Sequence, residues 1–193
     1  MYTWGYLKEN TLNKLNLSEE EANQLGFLSR FPYYANEAMT QICSSVKPKN
    51  TYFELVVDDT NVNKVVTLPN DFVAFDDDVA EIKYEDCYEF TEVHDDELQY
   101  LGYNQVICKT KGVYRIPYKA RWFFFTKDLQ NNVEIPAPAD VCDAIPSYIV
   151  SQCYKIDDER KAAIYRNEYE MFLARIDDTT FKSQRTFKIG GGW

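Results

Sequence analysis

The pattern of apolar residues changes twice along this chain of 193 residues. Towards both ends the apolar residues recur every three or four positions, which is typical of amphipathic helices. From Tyr52 to Thr126, short runs of β-branched and aromatic residues alternate with polar residues, which is typical of half-buried strands. The pattern therefore predicts helices at both ends and a β region between them.

Three helical segments are predicted in the N-terminal part. Thr3 is suited to cap the first, and Ser18, followed by three glutamates, has the composition of a capping box that begins the second. The apolar stripe of the second segment runs to Phe31, where Pro32 interrupts or kinks it. A third segment then continues to Val46.

Two further helices are predicted from Asp140 to about Asp178. Asp140 is the expected cap of the first, and the run Asp157–Glu159 marks a turn and a new cap. The last helix has a core-facing stripe that consists of Ile164, Tyr165, Tyr169, Phe172, Leu173 and Ile176. Because neither end can bury its stripe alone, we expect the helices of both ends to pack as one bundle.

The β region divides into about seven predicted strands in an antiparallel sandwich or half-barrel. Turn-forming residues at Asp58–Asn61 and at Thr110–Gly112 predict that the strands flanking each turn form a hairpin. The predicted strands are Tyr52–Val57, Asn63–Leu68, Val79–Tyr84, Tyr88–Val93, Tyr103–Lys109, Val113–Tyr118 and Ala120–Thr126.

The predicted fold class is α+β, with three parts. Residues 1–50 and 136–182 form a helical body, residues 51–135 form an inserted antiparallel β subdomain, and residues 183–193 form an extended C-terminal arm. The arm has no periodicity, yet Arg185, Phe187, Lys188, Ile189 and Trp193 are spaced along it, and three glycines precede the tryptophan. A tryptophan is costly to leave in water, so these five residues are the candidate contacts with another chain.

Charge and composition exclude several functions. Lys and Arg number 21 against 31 Asp and Glu, a net charge of −10, which argues against a surface that grips phosphate. Five cysteines without a CxxC pair, and one histidine, do not match zinc-ligand spacing and favour reduced thiols. We expect no signal peptide and no membrane span.

Two acidic runs are candidate metal sites. Asp76–Asp78 and His94–Glu97 offer carboxylates and an imidazole, but calcium loops place acids at alternate positions and need a glycine at the turn. Contiguous acids between strands are usually solvated turns. Because no nucleophile elbow or phosphate-binding glycine loop is present, we expect no catalytic residue, no metal, no cofactor and no enzyme activity.

The order of motifs resembles a known family. Val65–Val73 (VVTLPNDFV) is similar to the LPxDF passage of the head–tail connector, or adaptor, proteins of short-tailed phages, the tail tubular protein A-like family. Ile145–Tyr154, an acidic turn and Tyr165–Leu173 (YRNEYEMFL) resemble the closing helices of that family. The high content of Tyr, Asn, Asp and Lys resembles crAss-like phages, whose ring proteins lie next to the portal.

The resemblance implies a structural virion protein, assembled in the cytoplasm of a bacterial host. It implies a homo-oligomeric ring of about twelve copies that binds the portal protein, continues the DNA channel without reading sequence, and docks a further tail ring or hub protein. In such adaptors the C-terminal arm lies along the portal. The larger β subdomain departs from commoner members. Two alternatives stay open: a monomeric binding module that uses its aromatic sheet, and a metal-dependent hydrolase.

Overall fold

The structure is a computed structural model that describes residues 2–184, with side chains described through residue 176. The chain is of the α+β class, as predicted, with helices at both ends and antiparallel strands between them. It divides into two units. Among the described residues, the helical unit contains residues 2–47 and 122–184, and the β unit is Pro48–Arg121.

In the described part of the chain, five helices form the helical unit, and both ends of the chain contribute to it, as the apolar stripes predict. The fourth helix contacts the first, third and fifth, and it is buried along most of its length. The helices are α1 (Trp4–Leu15), α2 (Glu19–Gln24), α3 (Phe31–Ser45), α4 (Ala139–Tyr154) and α5 (Glu159–Gln184).

Local side-chain hydrogen bonds begin three of these helices where the sequence predicts. The Thr3 hydroxyl accepts from the Tyr6 N–H at 3.2 Å. Ser18 and Glu21 form a reciprocal capping box, in which each side chain accepts a backbone N–H of the other residue. The Asp158 carboxylate accepts the Lys161 N–H at 3.0 Å at the start of α5.

Two predictions about helix ends are wrong. Asp140 does not cap α4, because the helix begins at Ala139 directly after Pro138, and the Asp140 carboxylate instead pairs with Lys47 at 2.6 Å. Pro32 does not interrupt a helix, because it lies in the first turn of α3, where its missing N–H costs no helical hydrogen bond. The break lies earlier, over residues 25–30.

Residues 120–126 do not form the predicted last strand. After Arg121 the chain joins the helical unit, where the Trp122 indole N–H donates to the Lys47 carbonyl at 2.9 Å. The amide of Asn36 exchanges two hydrogen bonds of 2.8 Å with the backbone of Phe125. The Phe125 ring is buried and packs on Trp4 at 5.2 Å, so this residue joins the helical core, whereas Phe124 is exposed.

Eight strands in two antiparallel sheets form the β unit. One sheet has the order β1-β8-β4-β5, with β3 also paired to β8, and the other has the order β2-β7-β6. Both sheets contribute to one apolar core. The strands are β1 (Lys49–Val57), β2 (Val65–Thr67), β3 (Phe72–Phe75), β4 (Glu81–Lys83), β5 (Thr91–Glu92), β6 (Leu98–Tyr100), β7 (Gln105–Cys108) and β8 (Gly112–Ala120).

Neither predicted hairpin forms. The first strand pairs along its whole length with the last one, from Lys49 opposite Ala120 to Val57 opposite Gly112, and β2 pairs with β7. Gly112 looks like a turn residue in the sequence, but a Cβ there would lie 2.7 Å from the Lys83 carbonyl oxygen. The glycine therefore permits close approach of β4 to β8, and β3 and β6 are strands that the sequence pattern did not predict.

Candidate interaction surfaces

The five predicted contact residues of the arm, Arg185, Phe187, Lys188, Ile189 and Trp193, lie outside the described residues. The structure therefore neither brings them together nor separates them. The candidate sites that the structure does describe are three surfaces: a groove on the helical unit, the outer side of α5, and the outer face of the larger sheet.

The groove lies between α3, α4 and α5 of the helical unit and has a volume of about 780 Å³. Its wall combines aromatic rings with hydrogen-bonding side chains. The lining residues are Tyr33, Asn36, Glu37, Thr40, Gln41, Phe124, Tyr148, Gln152, Lys155 and Arg166. Both signs of charge are present, from Glu37 on one side and from Lys155 and Arg166 on the other.

Tyr148 is the centre of the polar network in this groove. Its hydroxyl donates to the Glu37 carboxylate at 3.2 Å and accepts from the Gln41 amide at 3.1 Å. Burial, together with the negative charge of Glu37, raises the pKa of Tyr148. The phenol therefore stays protonated, and it fixes the Glu37 and Gln41 side chains on α3 against α4.

Arg166 of α5 forms the opposite wall. Its guanidinium lies 5.5 Å from the Tyr148 ring and 5.2 Å from the Tyr169 ring, and it pairs with Glu170 at 2.6 Å. These contacts hold a planar donor at the groove surface. The described lining contains no cysteine or histidine, and its amides, carboxylate and guanidinium are groups of the kind found in the polar parts of protein interfaces.

The outer side of α5 exposes large apolar side chains. Ile164 is 62% exposed and Met171, two turns later on the same side, is 59% exposed. Ile156, in the turn before this helix, is 83% exposed. The prediction that Ile164 belongs to the core stripe is therefore wrong, because Tyr165 and Tyr169 face α1, α3 and α4 and turn Ile164 outward.

The outer face of the larger sheet carries an aromatic and cationic cluster. The Arg115 guanidinium lies 3.8 Å from the Phe90 ring centroid and 5.3 Å from that of Tyr52, and it pairs with Glu54 at 3.3 Å. The ammonium of Lys83 lies 5.5 Å from the same Phe90 ring. The face is thus partly closed by its own contacts, although Tyr52 remains 54% exposed.

The acidic runs have divided roles. Asp78, His94 and Asp95 line one small cavity of about 150 Å³, but no group of three His, Cys, Asp or Glu among the described residues could hold a metal ion. Asp77 is fully exposed, whereas the Asp76 side chain is mostly covered and lies 3.8 Å from Lys119. The solvated-turn interpretation therefore fits Asp77 better than Asp76.

Glu97, at the end of the second acidic run, is buried and structural. Its carboxylate accepts the Tyr84 hydroxyl at 2.8 Å and the His94 N–H at 3.0 Å. Burial opposes the charge, but these hydrogen bonds and one from Thr110 outweigh it and hold the pKa of Glu97 below its usual value. This role was not predicted from the sequence; the signal that could have indicated it is the three-residue spacing between His94 and Glu97, which is that of a capping box.

All five cysteines are free thiols. Burial raises the pKa of Cys108, Cys142 and Cys153 to about 12, so these thiols stay protonated and unreactive. Cys43 is also buried, and Cys87 is exposed.

No helix within the described part of the chain is long and apolar enough to cross a membrane. No protein-family model matches the chain, and no curated protein matches it.

Proposed function

We propose that this protein is a structural component of a phage virion that forms a ring below the portal, joins head to tail and continues the DNA channel. The observation that carries the proposal is the exposed apolar side of α5. Full burial of a side chain such as Ile164 or Met171 is worth about 1.5–3 kcal/mol. Burial of these side chains would therefore stabilise a contact between subunits over this side, and the helical unit would not need to rearrange. A ring repeats that contact at every subunit.

The groove supports the same proposal, since its fixed amides, Glu37, Lys155 and Arg166 suit the polar rim of a protein interface. The resemblance to adaptors of short-tailed phages supports a ring of about twelve copies with a portal on one side and a tail ring or hub on the other. The net charge of −10 favours a channel in which DNA stays mobile and is not bound by sequence.

The arm is the proposed anchor on the portal or on a neighbouring subunit. Burial of Phe187 or Ile189 is worth about 1.5–3 kcal/mol each before ordering costs, and repetition around a ring multiplies a modest contact through avidity. Eleven extended residues reach about 35 Å, enough to cross an adjacent subunit.

The first experiment measures the mass of the chain alone and mixed with a portal protein from the same genome. We expect a defined ring with portal. The double variant Ile164→Ser with Met171→Ser should weaken ring formation strongly, whereas Leu25→Ser, which changes another exposed apolar residue of the helical unit, should not. A chain that stays monomeric with portal would refute the ring.

The second experiment deletes Ser183–Trp193, checks the fold by circular dichroism, and measures attachment to portal or to preformed heads. We expect attachment to fall. Undiminished attachment would show that the arm does not anchor the protein and that another surface docks it.

A monomeric binding module is the second candidate. The observation that favours it is the exposed aromatic and cationic cluster around Arg115 on the sheet. A chain that remains monomeric with portal, and that loses a partner when Tyr52 and Phe90 are replaced by Ser, would favour this function. Metal content and hydrolase assays of the purified chain test the enzyme alternative.

A further inference from the structure

Among the described residues, the first strand of the β unit has one paired edge and one open edge. All nine residues of β1 pair with β8, which lies on one side only. In an antiparallel ladder, alternate residues point their N–H and C=O groups to opposite edges. Half of the β1 backbone must therefore point away from β8.

Three hydrogen bonds identify which half. The Pro117 carbonyl, opposite Tyr52, accepts from the Asp76 N–H on the far side of β8 and so points away from β1. On the open side, the Asn61 amide donates to the Val56 carbonyl at 2.9 Å and accepts the Asp58 N–H at 2.8 Å. Even-numbered residues of β1 therefore point outward.

Asn50, Tyr52 and Glu54 consequently present their N–H and C=O groups to the open edge. Asn61 closes only the Val56 end of that edge, and no backbone group among the described residues bonds the rest. Nine paired residues make a long edge strand. It contains neither a proline nor a bulge, two of the devices that prevent pairing with another chain, and its charged residues are Lys49 and Glu54.

The occupant must be an extended segment with alternating side chains. Arg185–Ile189 has this pattern, because Arg185, Phe187 and Ile189 would share one face. The residues from Lys182 to the end of the sequence include three basic residues and no acidic one, against a body that is strongly acidic. The five residues Arg185–Ile189 also match the length of the open segment 50–54.

We propose that Arg185–Ile189 of a second copy adds to the open edge of β1 as an antiparallel strand. This inference rests on the self-association in the proposed function and names the two segments that meet. The register that pairs opposite charges places Arg185 opposite Glu54, Phe187 opposite Tyr52 and Ile189 opposite Asn50. Main-chain hydrogen bonds supply affinity, and the charge and aromatic pairs select the register.

A cross-link between two full-length copies tests the register. In this arrangement Thr51 and Lys188 of different copies are directly opposite and not hydrogen-bonded, with Cα atoms close enough for a disulfide. One copy carries Thr51→Cys and a size tag, and the other carries Lys188→Cys. Both also carry Cys87→Ser, which removes the exposed thiol. We expect a mixed disulfide dimer on mild oxidation, with or without portal.

Three control variants make the result specific. Thr186→Cys in place of Lys188→Cys lies two residues out of register, so its cross-link should be much weaker. Glu54→Pro in the acceptor copy removes an N–H that points outward, not one that bonds β8, and it should reduce the cross-link about tenfold or more. Glu54→Ala keeps that N–H and should retain most of it, since an exposed ion pair contributes little.

The outcomes separate this inference from the proposed function. If rings form with portal but the disulfide is absent, or is unaffected by Glu54→Pro, strand addition at β1 is refuted and the ring stands. If the disulfide forms with the expected controls but no ring forms with portal, the ring is refuted and strand addition stands. Thermal unfolding of the Glu54→Pro chain checks that β1 itself is intact.

Discussion

The helical unit is formed by two separate segments of the chain, whereas the β unit is formed by one. The helical unit joins residues that are far apart in the chain, as in the Tyr165 hydroxyl bond to the Lys14 carbonyl and the Tyr169 bond to the Ala38 carbonyl. The β unit is one continuous segment, Pro48–Arg121, with its own apolar core. Damage to either chain end should therefore affect the helical unit first and leave the β unit folded.

The two units also differ in the polar groups that they bury. The helical unit buries small hydroxyls, including Ser147 and Ser151 of α4, whereas the β unit buries a carboxylate, Glu97. A buried charge is stable only while its hydrogen bonds are complete. The stability of the β unit should thus depend on pH through Glu97, and that of α4 should depend on whether each hydroxyl finds a partner.

The largest expected effect comes from Tyr169→Ala. The Tyr169 ring is fully buried and packs edge-on against Tyr148 at 5.0 Å. Loss of a large buried aromatic side chain typically costs about 3–5 kcal/mol. Chemical denaturation followed by helical circular dichroism should show this loss, while hydrogen exchange of β8 amides stays unchanged. Equal loss of protection in β8 would contradict the independence of the units; Tyr169→Phe, which removes one hydrogen bond, is the control.

A smaller effect, confined to the β unit, is expected from Glu97→Ala. The variant removes the buried carboxylate that accepts from the Tyr84 hydroxyl and the His94 N–H, and loss of hydrogen bonds to such a charged group costs about 1–3 kcal/mol. The protection of the β6–β8 amides against hydrogen exchange should fall, whereas the helical circular dichroism signal should stay unchanged. Unchanged protection in β6–β8 would show that water replaces the carboxylate.

Glu97→Gln isolates the charge. The folded-state pKa of Glu97 lies below its ordinary value of 4.5, so its stabilisation is complete above that value and is lost as the pH falls through the folded pKa. The unfolding free energy of the β unit should decrease with acidification below about pH 5, and less so in Glu97→Gln. Identical pH profiles for the two proteins would contradict this assignment.

Two serines of α4 should respond in opposite directions. The Ser147 hydroxyl is buried and has no hydrogen-bond partner among the described residues, whereas the Ser151 hydroxyl donates to the Tyr148 carbonyl at 2.7 Å. Ser147→Ala should stabilise the helical unit by about 1 kcal/mol, and Ser151→Ala should destabilise it by about 0.5–1.5 kcal/mol. Thermal unfolding of both variants is the measurement, and a destabilising Ser147→Ala would reveal a partner for that hydroxyl.

The smallest effects are expected at the surface of the acidic runs. His94→Ala and Asp77→Ala should change stability by about 0.5 kcal/mol or less and leave assembly unchanged, because neither side chain makes a buried contact that the fold requires. Asp76→Ala should cost more, since its side chain is mostly covered. Loss of an enzymatic activity or of a stoichiometric metal in the His94 or Asp77 variant would revive the hydrolase alternative.

The sequence pattern correctly predicted the helix caps, which depend on hydrogen bonds between residues three positions apart. The caps at Thr3, Ser18 and Asp158 form between residues three apart, so nothing distant can alter them. The apolar spacing of the helices also predicted that both chain ends share one core. The same reasoning failed at Asp140, where Pro138 starts the helix early and Lys47, distant in sequence, takes the carboxylate.

The α+β class, three helix starts and the β character of the middle of the chain follow from the amino-acid sequence, because they depend on the apolar period and on neighbouring residues. The folded arrangement of the chain sets the partner of each strand, since β1 meets β8 across more than fifty residues and hairpin signals carry no information about such contacts. It also decided that Glu97 is buried, that Ile164 faces outward and that one edge of β1 is open. Each of these depends on which distant side chains occupy the neighbouring space, and no local pattern encodes that.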